Sequence, residues 1–239
     1  MKDVKIVPYQ KKFDYSYSFG IYPTIELLKF QPKKVIKVIL HSRAKNSNGV
    51  RQIIDLCKKN QVRTEIADGL IQKISGSENT YAIGVFDKYS TKIEENKNHL
   101  VLVNPEDTGN LGTVIRSALG FGIKNLVIIR PAVDCFDPKT IRASMGAVFS
   151  VNIEYFEYFE DYKEAHTNKC YMFMTNGERE LSQVKFESPY SLVFGSESAG
   201  LENRFKTYGQ GVVIKQSKDV DSLNLSIAVG IALYKSFAN

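Results

Sequence analysis

Residues 104–129 read NPEDTGNLGTVIRSALGFGIKNLVII, a polar, glycine-bearing turn that runs into a helix-like middle and ends on the apolar run LVII. A second apolar run, LVLV at 100–103, stands just before it. A strand, a turn rich in glycine and acids, a helix and another strand is the order of a parallel crossover unit. Further out, β-rich runs at 170–174, 192–194 and 212–214 alternate with helical or loop segments. Residues 99–239 therefore read as an α/β domain on a mostly parallel sheet. The helix-like middle carries one arginine, Arg116, and a guanidinium in so apolar a frame is expected to be buried and to have a chemical task.

Upstream, YPTIELLKF (22–30) and VRQIIDLCKKN (50–60) have helical apolar spacing, while VIKVIL (35–40), VRTEIA (62–67) and YAIGVF (81–86) read as strands. Residues 1–90 thus predict a separate small α/β unit. The stretch DKYSTKIEENKNH (87–99) is polar, with charges of both signs and no apolar period, so a linker is expected at 91–98. Charge follows the same division. Residues 1–98 carry 18 Lys and Arg against 10 Asp and Glu, residues 99–239 carry 14 against 16, and the whole chain stands at +6. A basic N-terminal part suits a polyanion such as nucleic acid, because each neutralised phosphate releases counterions. Lysines that merely solvate helical faces would give the same surplus.

With 239 residues and 43% hydrophobic content the chain can bury sizeable cores. Its apolar runs fall far short of the roughly 20 residues of a membrane span, and MKDVKIVPYQKKFDYSY lacks a signal-peptide apolar region. A soluble, cytoplasmic protein is the expectation. Cys57, Cys135 and Cys170 are odd in number and far apart, so packing thiols are expected and no metal-ligand set is. His41, His99 and His166 read as structural or surface groups.

Ligands of parallel sheets bind outside the carboxyl ends of the strands. Three such junctions are rich in Gly, Ser, Asn and acids: VNPEDTGNLG (103–112), FGSESAGL (194–201) and KQSKDVDSLN (215–224). None is a phosphate loop, GNLGTV lacks dinucleotide glycine spacing, and Glu197 stands where a nucleophile elbow needs serine.

Taken together, NLGTVIR (110–116), FGSESAGL (194–201) and SLNLSIA (222–228) resemble, in order, the three motifs of the SpoU-type (TrmH-like) RNA ribose 2′-O-methyltransferases of the SPOUT superfamily. KTIRASMGAVFSV (139–151) resembles the segment this family carries between its first two motifs, and the N-terminal region resembles its substrate-binding domain, a small α/β sandwich related to an RNA-binding ribosomal protein. The resemblance implies a SPOUT-type α/β knot, a deep trefoil knot holding S-adenosylmethionine, and a homodimer packed through its C-terminal helices. It implies transfer of the methyl group to a ribose of RNA, 23S ribosomal RNA foremost. Transfer RNA is the alternative substrate, and a non-catalytic RNA-binding or ribosome-assembly factor the alternative function.

Carried over by motif position, Gly195, Ile214 and Leu223 would contact the cofactor, and Thr175, Asn176 and Gly177 would line the same pocket. Arg116 would act on the 2′-hydroxyl, either as a base in a strongly perturbed site or by holding phosphate and stabilising oxyanion character. Asn110 would cap its helix or fix the loop, and Glu197 would orient the arginine or loop amides. Ser222 and Asn224 would bond the target nucleotide or Arg116, and Arg142 and Ser144 would meet phosphate or a partner subunit. One departure stands in the cofactor loop: the family's Ile-Pro-Met run is Ile214-Lys215-Gln216 here. The final SLNLSIAVGIALYKSF (222–237) is apolar enough to need burial on more than one side, as a dimer interface or as a central core helix.

Overall fold

The computed structural model describes residues 4–44, 47–76 and 79–238. They form two compact units, Met1–Tyr89 with Asp134–Ser150, and Ser90–Val133 with Val151–Asn239. The predicted boundaries are thereby redrawn, because residues 134–150, expected inside the 99–239 domain, fold with the N-terminal unit.

The first unit runs β1 (Tyr15–Phe19), α1 (Ile21–Phe30), β2 (Val35–Leu40), α2 (Asn48–Lys59), β3 (Thr64–Ile66), α3 (Asp68–Ser75) and β4 (Ala82–Asp87). Its sheet has the order β1-β4-β2-β3, with β4 antiparallel to both neighbours and β3 parallel to β2. The period-2 alternation of strand side chains divides the core. Val38 and Leu40 pack with Ile25 and Leu28 of α1 and with Val50 and Ile53 of α2. On the other face Ile39 joins Tyr17, Ile83 and Val85 with Ile71 and Ile74 of α3.

In the second unit the chain forms β5 (His99–Val103), α4 (Thr108–Gly120) and β6 (Asn125–Ile129), then leaves through α5 (Pro138–Ala143), which belongs to the first unit. It returns as β7 (Asn152–Phe156), α6 (Phe159–Ala165), β8 (Lys169–Phe173), β9 (Arg179–Glu180), β10 (Tyr190–Phe194), β11 (Gln210–Val213) and α7 (Leu225–Phe237). The segment holding α5 joins the first unit through aromatic burial. Phe136 and Phe149 set their rings 5.6 Å and 5.2 Å from that of Phe86, and Ser16 Oγ donates to the Phe136 carbonyl at 2.5 Å.

Seven strands lie in the order β7-β6-β5-β10-β8-β11-β9, and every paired strand among the described residues is parallel. All residues of β5, β6 and β10 are buried, as unbroken apolar strands covered on both faces must be. Phe159 and Tyr162 of α6 pack on Val101, Val103, Val127 and Val193. Helix α4 buries Leu111, Val114, Ile115 and Ala118, and packs against α7, which buries Val229, Ala232 and Leu233.

The predicted linker is bonded into this unit. Thr91 Oγ1 donates to the Ile153 carbonyl at 2.9 Å, and the amides of Ile93 and Glu94 donate to Glu154 Oε2 and Asn125 Oδ1, each at 3.0 Å. His99 is a buried core histidine, its Nε2 2.9 Å from the Glu94 carbonyl and its Nδ1 2.9 Å from the Tyr162 hydroxyl. All three cysteines are buried and in no disulfide, and burial pushes the Cys57 thiol up to about 11. No helix among the described residues is long and apolar enough to cross a membrane.

Candidate active site

The strand order puts β10 between β5 and β8, so three adjacent strands deliver their following loops to one sheet end. Parallel register sharpens this. Val193 pairs with Met172 and Met172 with Gly211, which brings the residues beyond β10, β8 and β11 to nearly one level. Gly195, Thr175, Asn176, Gly177 and Ile214, expected around one ligand, all lie in those loops.

Glycine is required at two of these positions by the chain's own backbone. A Cβ on Gly195 would stand 2.0 Å from the Gly200 carbonyl carbon, and one on Gly177 would stand 2.4 Å from that of Val212. No side chain fits such gaps. Thr175 is exposed, Asn176 Nδ2 donates to Asn203 Oδ1 at 2.8 Å, and Lys206 Nζ donates to the Asn176 carbonyl at 3.0 Å. Ile214 and Leu223 are half-buried, leaving apolar surface open beside these loops.

The second half of the site is a hydrogen-bonded bridge between the three motifs. Glu197 in the loop after β10 accepts from the amides of Glu106 at 2.9 Å and Asp107 at 3.2 Å, and from Asn110 Nδ2 at 3.1 Å. Asn110 Oδ1 in turn accepts from Asn224 Nδ2 at 3.1 Å. Asn224 caps α7, its Oδ1 accepting from the Ser226 amide at 2.9 Å. The expected cap role of Asn110 is corrected here: the α4 cap is Asp107, whose Oδ1 accepts from the Asn110 amide at 2.7 Å, leaving the Asn110 side chain free to bridge. Of the two tasks expected for Glu197, the structure contains the loop amides.

Arg116 differs from expectation more sharply. It is exposed on α4 and makes no hydrogen bond or ion pair among the described residues, so the guanidinium is not buried and neither Glu197 nor Asn224 holds it. The periodicity explains this: Leu111, Val114, Ile115 and Ala118 form the buried stripe of α4, and position 116 falls off it. Ser222 is likewise exposed, with no hydrogen bond among the described residues. Arg142 and Ser144 lie in the first unit, Arg142 exposed and Ser144 buried with its hydroxyl on the Ile141 carbonyl at 3.0 Å.

Ser198 and Asp107 are not among the expected site residues, and Gln216 stood there only as a departure from the family's run. Ser198 Oγ donates to Glu106 Oε1 at 2.7 Å, a second tie between the loops after β5 and β10. Gln216 Nε2 donates to the carbonyls of Val220 at 3.3 Å and Asp221 at 3.2 Å, so the side chain that departs from the family pattern closes its own loop. Asp107, an acid directly before a helical pattern, carries a start signal that sequence inspection could have used.

The class defined by this geometry is an α/β protein whose polar loops meet at the carboxyl ends of adjacent parallel strands. The chain belongs to the SpoU rRNA Methylase family, whose family model matches residues 97–234. It is 32% identical over 141 residues to an uncharacterised tRNA/rRNA methyltransferase of Synechocystis, covering 57% of this chain and 52% of that protein. It is 30% identical over 141 residues to the 23S rRNA (uridine(2479)-2′-O)-methyltransferase of Streptomyces viridochromogenes, covering 55% and 49%. This chain spans about half the length of these curated relatives. An rRNA methyltransferase of Sinorhizobium meliloti superposes with a TM-score of 0.80 at 25% identity, over 95% of this chain and 90% of that one.

Proposed function

We propose that this protein methylates the 2′-hydroxyl of a ribose in RNA, ribosomal RNA of the large subunit foremost, with S-adenosylmethionine as methyl donor, in the cytoplasm. The observation that carries the reading is the Glu197–Asn110–Asn224 bridge, which locks the three motif loops together at one end of the parallel sheet. Family membership and the 2′-O-methyltransferase among the relatives support it.

The residues present fit the cofactor. Half-buried Ile214 and Leu223 offer an apolar wall for an adenine, and the tightly packed backbone at Gly177 and Gly195 offers amides and carbonyls instead of side chains. The chemistry that cofactor supplies when bound is a sulfonium methyl open to displacement by an oxygen nucleophile. Arg116, exposed and unpaired, binds the RNA beside the reacting hydroxyl. A guanidinium stays protonated in proteins, so it holds phosphate and stabilises charge developing on the oxygen. Ser222, also unpaired, hydrogen-bonds the target nucleotide, and the bridge keeps α4 and the start of α7 in register for both contacts.

Three further features belong to the reading. A return of the chain from β11 to Asn110, after β10 has entered between β5 and β8, favours the trefoil knot. Ile227, Ile231, Tyr234 and Phe237 form one exposed apolar face of α7, 54%, 39%, 64% and 68% open, which favours a homodimer through that helix. The first unit holds 18 Lys and Arg against 10 Asp and Glu, which favours electrostatic capture of RNA there.

The deciding experiment is transfer of labelled methyl from S-adenosylmethionine to unmodified ribosomal and transfer RNA, followed by digestion to nucleosides. Label in a 2′-O-methylnucleoside supports the reading, and the RNA that accepts it identifies the substrate. RNA binding without any transfer would instead leave an RNA-binding factor of the same fold.

A further inference from the structure

The first unit contains a cavity of about 250 Å³ between α2 and β3, walled by Leu40, Val50, Ile54 and Ile66. It is smaller than the roughly 300–1,000 Å³ of pockets that take drug-sized ligands, so it suits a single ring system. Three of its lining residues are polar, His41, Thr64 and Glu65. The Thr64 hydroxyl has no partner among the described residues, and the His41 ring accepts the Arg43 amide on Nδ1 at 3.2 Å, with Asp68 Oδ1 3.4 Å from the same nitrogen. Apolar walls with a few polar groups at the edge match a flat heterocycle with apolar faces and a hydrogen-bonding perimeter.

Charge identifies what carries that heterocycle. Lys58 continues the α2 stripe of Val50 and Ile54 at four-residue spacing, Arg51 lies three residues before Ile54, and Arg63 directly precedes Thr64. All three cations are exposed and without ion pairs among the described residues, while of the carboxylates on this side Asp55 is exposed and Asp68 is held by the Ser42 hydroxyl and His41. The Glu65 carboxylate is neutralised by Lys37 at 3.0 Å. β3 is the edge strand of its sheet, and Thr64 and Ile66 on it are exposed.

We propose that this cavity receives one unstacked base of single-stranded RNA, with Arg51, Lys58 and Arg63 on the phosphates that flank it. The inference rests on the reading that this chain acts on RNA, and adds where and in what form the RNA is held. Single strands and loops offer splayed bases that duplexes do not, and the base sits in the pocket while the cations hold the backbone.

The test is fluorescence anisotropy of the full chain with labelled RNA octamers of each base, titrated across salt. Thr64→Trp fills the mouth from an exposed position, and Ile66→Ala trims an exposed wall, so one folded pocket variant is available if the other melts early. The expected result is a base preference in the wild type that both variants lose, with affinity falling on the order of tenfold and the salt slope unchanged. Arg51→Ser should weaken all octamers alike and lower the salt slope by roughly one. Pocket variants that melt and bind as the wild type does would overturn the inference while steep salt-dependent RNA binding kept the broader reading. A wild type that binds no RNA at any salt would remove both.

Discussion

Asn110 Nδ2 donates to Glu197 Oε1 at 3.1 Å while the opposite end of the same amide accepts from Asn224, so one side chain of helix α4 ties together loops that are 87 and 114 residues away in sequence. An amide donates on one side and accepts on the other, which neither a carboxylate nor an alkyl side chain does. Asn110→Asp places a second carboxylate against Glu197, so it should lower stability and cofactor affinity further than Asn110→Ala does. Glu197→Ala strips the partner from three N–H groups and should cost on the order of 2 kcal/mol. Denaturant melts and cofactor titration of the three variants check this. An aspartate variant as stable as the alanine one would refute the bridge.

Arg116 makes no hydrogen bond or ion pair among the described residues that a substitution could break. Arg116→Ala should therefore shift folding stability by less than about 0.5 kcal/mol, while methyl transfer falls by a factor of roughly 100 or more. Arg116→Lys, which keeps charge but not the planar fork, should recover only part of the rate. Equal rates for alanine and wild type would move the reacting group elsewhere.

Two glycines make opposite forecasts. Gly195→Ala drives a Cβ into the backbone of Gly200 and Leu201, at 2.0 Å and 2.4 Å, and should cost roughly 1–3 kcal/mol or more along with cofactor binding. Gly230 lies inside α7 with nothing within 4 Å of a built Cβ. Gly230→Ala should raise stability by about 0.5–1 kcal/mol through helix propensity. Calorimetric melts separate the two.

The exposed face of α7 predicts self-association. Ile231→Asp sets a charge in the middle of that face and should turn a dimer into a monomer in sedimentation velocity, with the monomer still folded by circular dichroism. A wild type that sediments as a monomer at tens of micromolar protein would exclude this interface, since obligate surfaces of this kind stay closed at such concentrations.

The long strands of the second sheet were legible because strands buried on both faces read as unbroken apolar runs. β1 and β7 were not: YSYSF and NIEYF mix polar and aromatic residues that face different environments in each. The position of residues 134–150 could not be read from a local pattern, since it depends on Phe136 and Phe149 meeting Phe86, which lies 50 and 63 residues earlier in the chain. That placement also alters experimental design. Deletion of residues 1–90 would strip those two rings of their core, so charge substitutions on α2 are the cleaner probe of RNA capture. At the site, the motif residues were visible as types, but the Asn110 bridge and the exposure of Arg116 depend on helix phase and on loops distant in sequence.

His99 gives the last prediction, a pH dependence of stability. Nε2 must donate to the Glu94 carbonyl, which only accepts, so in the neutral ring Nδ1 accepts from the Tyr162 hydroxyl, and Ser191 Oγ, 2.5 Å away, donates to that hydroxyl's oxygen. A second ring proton would meet the Tyr162 proton head-on in a buried site. Burial first, with the neighbouring His166, holds the imidazole below its ordinary value near 6.5. The unfolded chain then binds the proton more readily than the folded one, so stability is full above the unfolded value and is lost as pH falls through it toward the lower folded value. Melting temperature should decline as pH drops from about 7.5 to about 5.5. His99→Gln, which cannot take up a proton, should be less stable at neutral pH but show a shallower decline. An unchanged slope in that variant would assign the pH dependence to other groups, with His166, whose ring burial also depresses, the next to substitute.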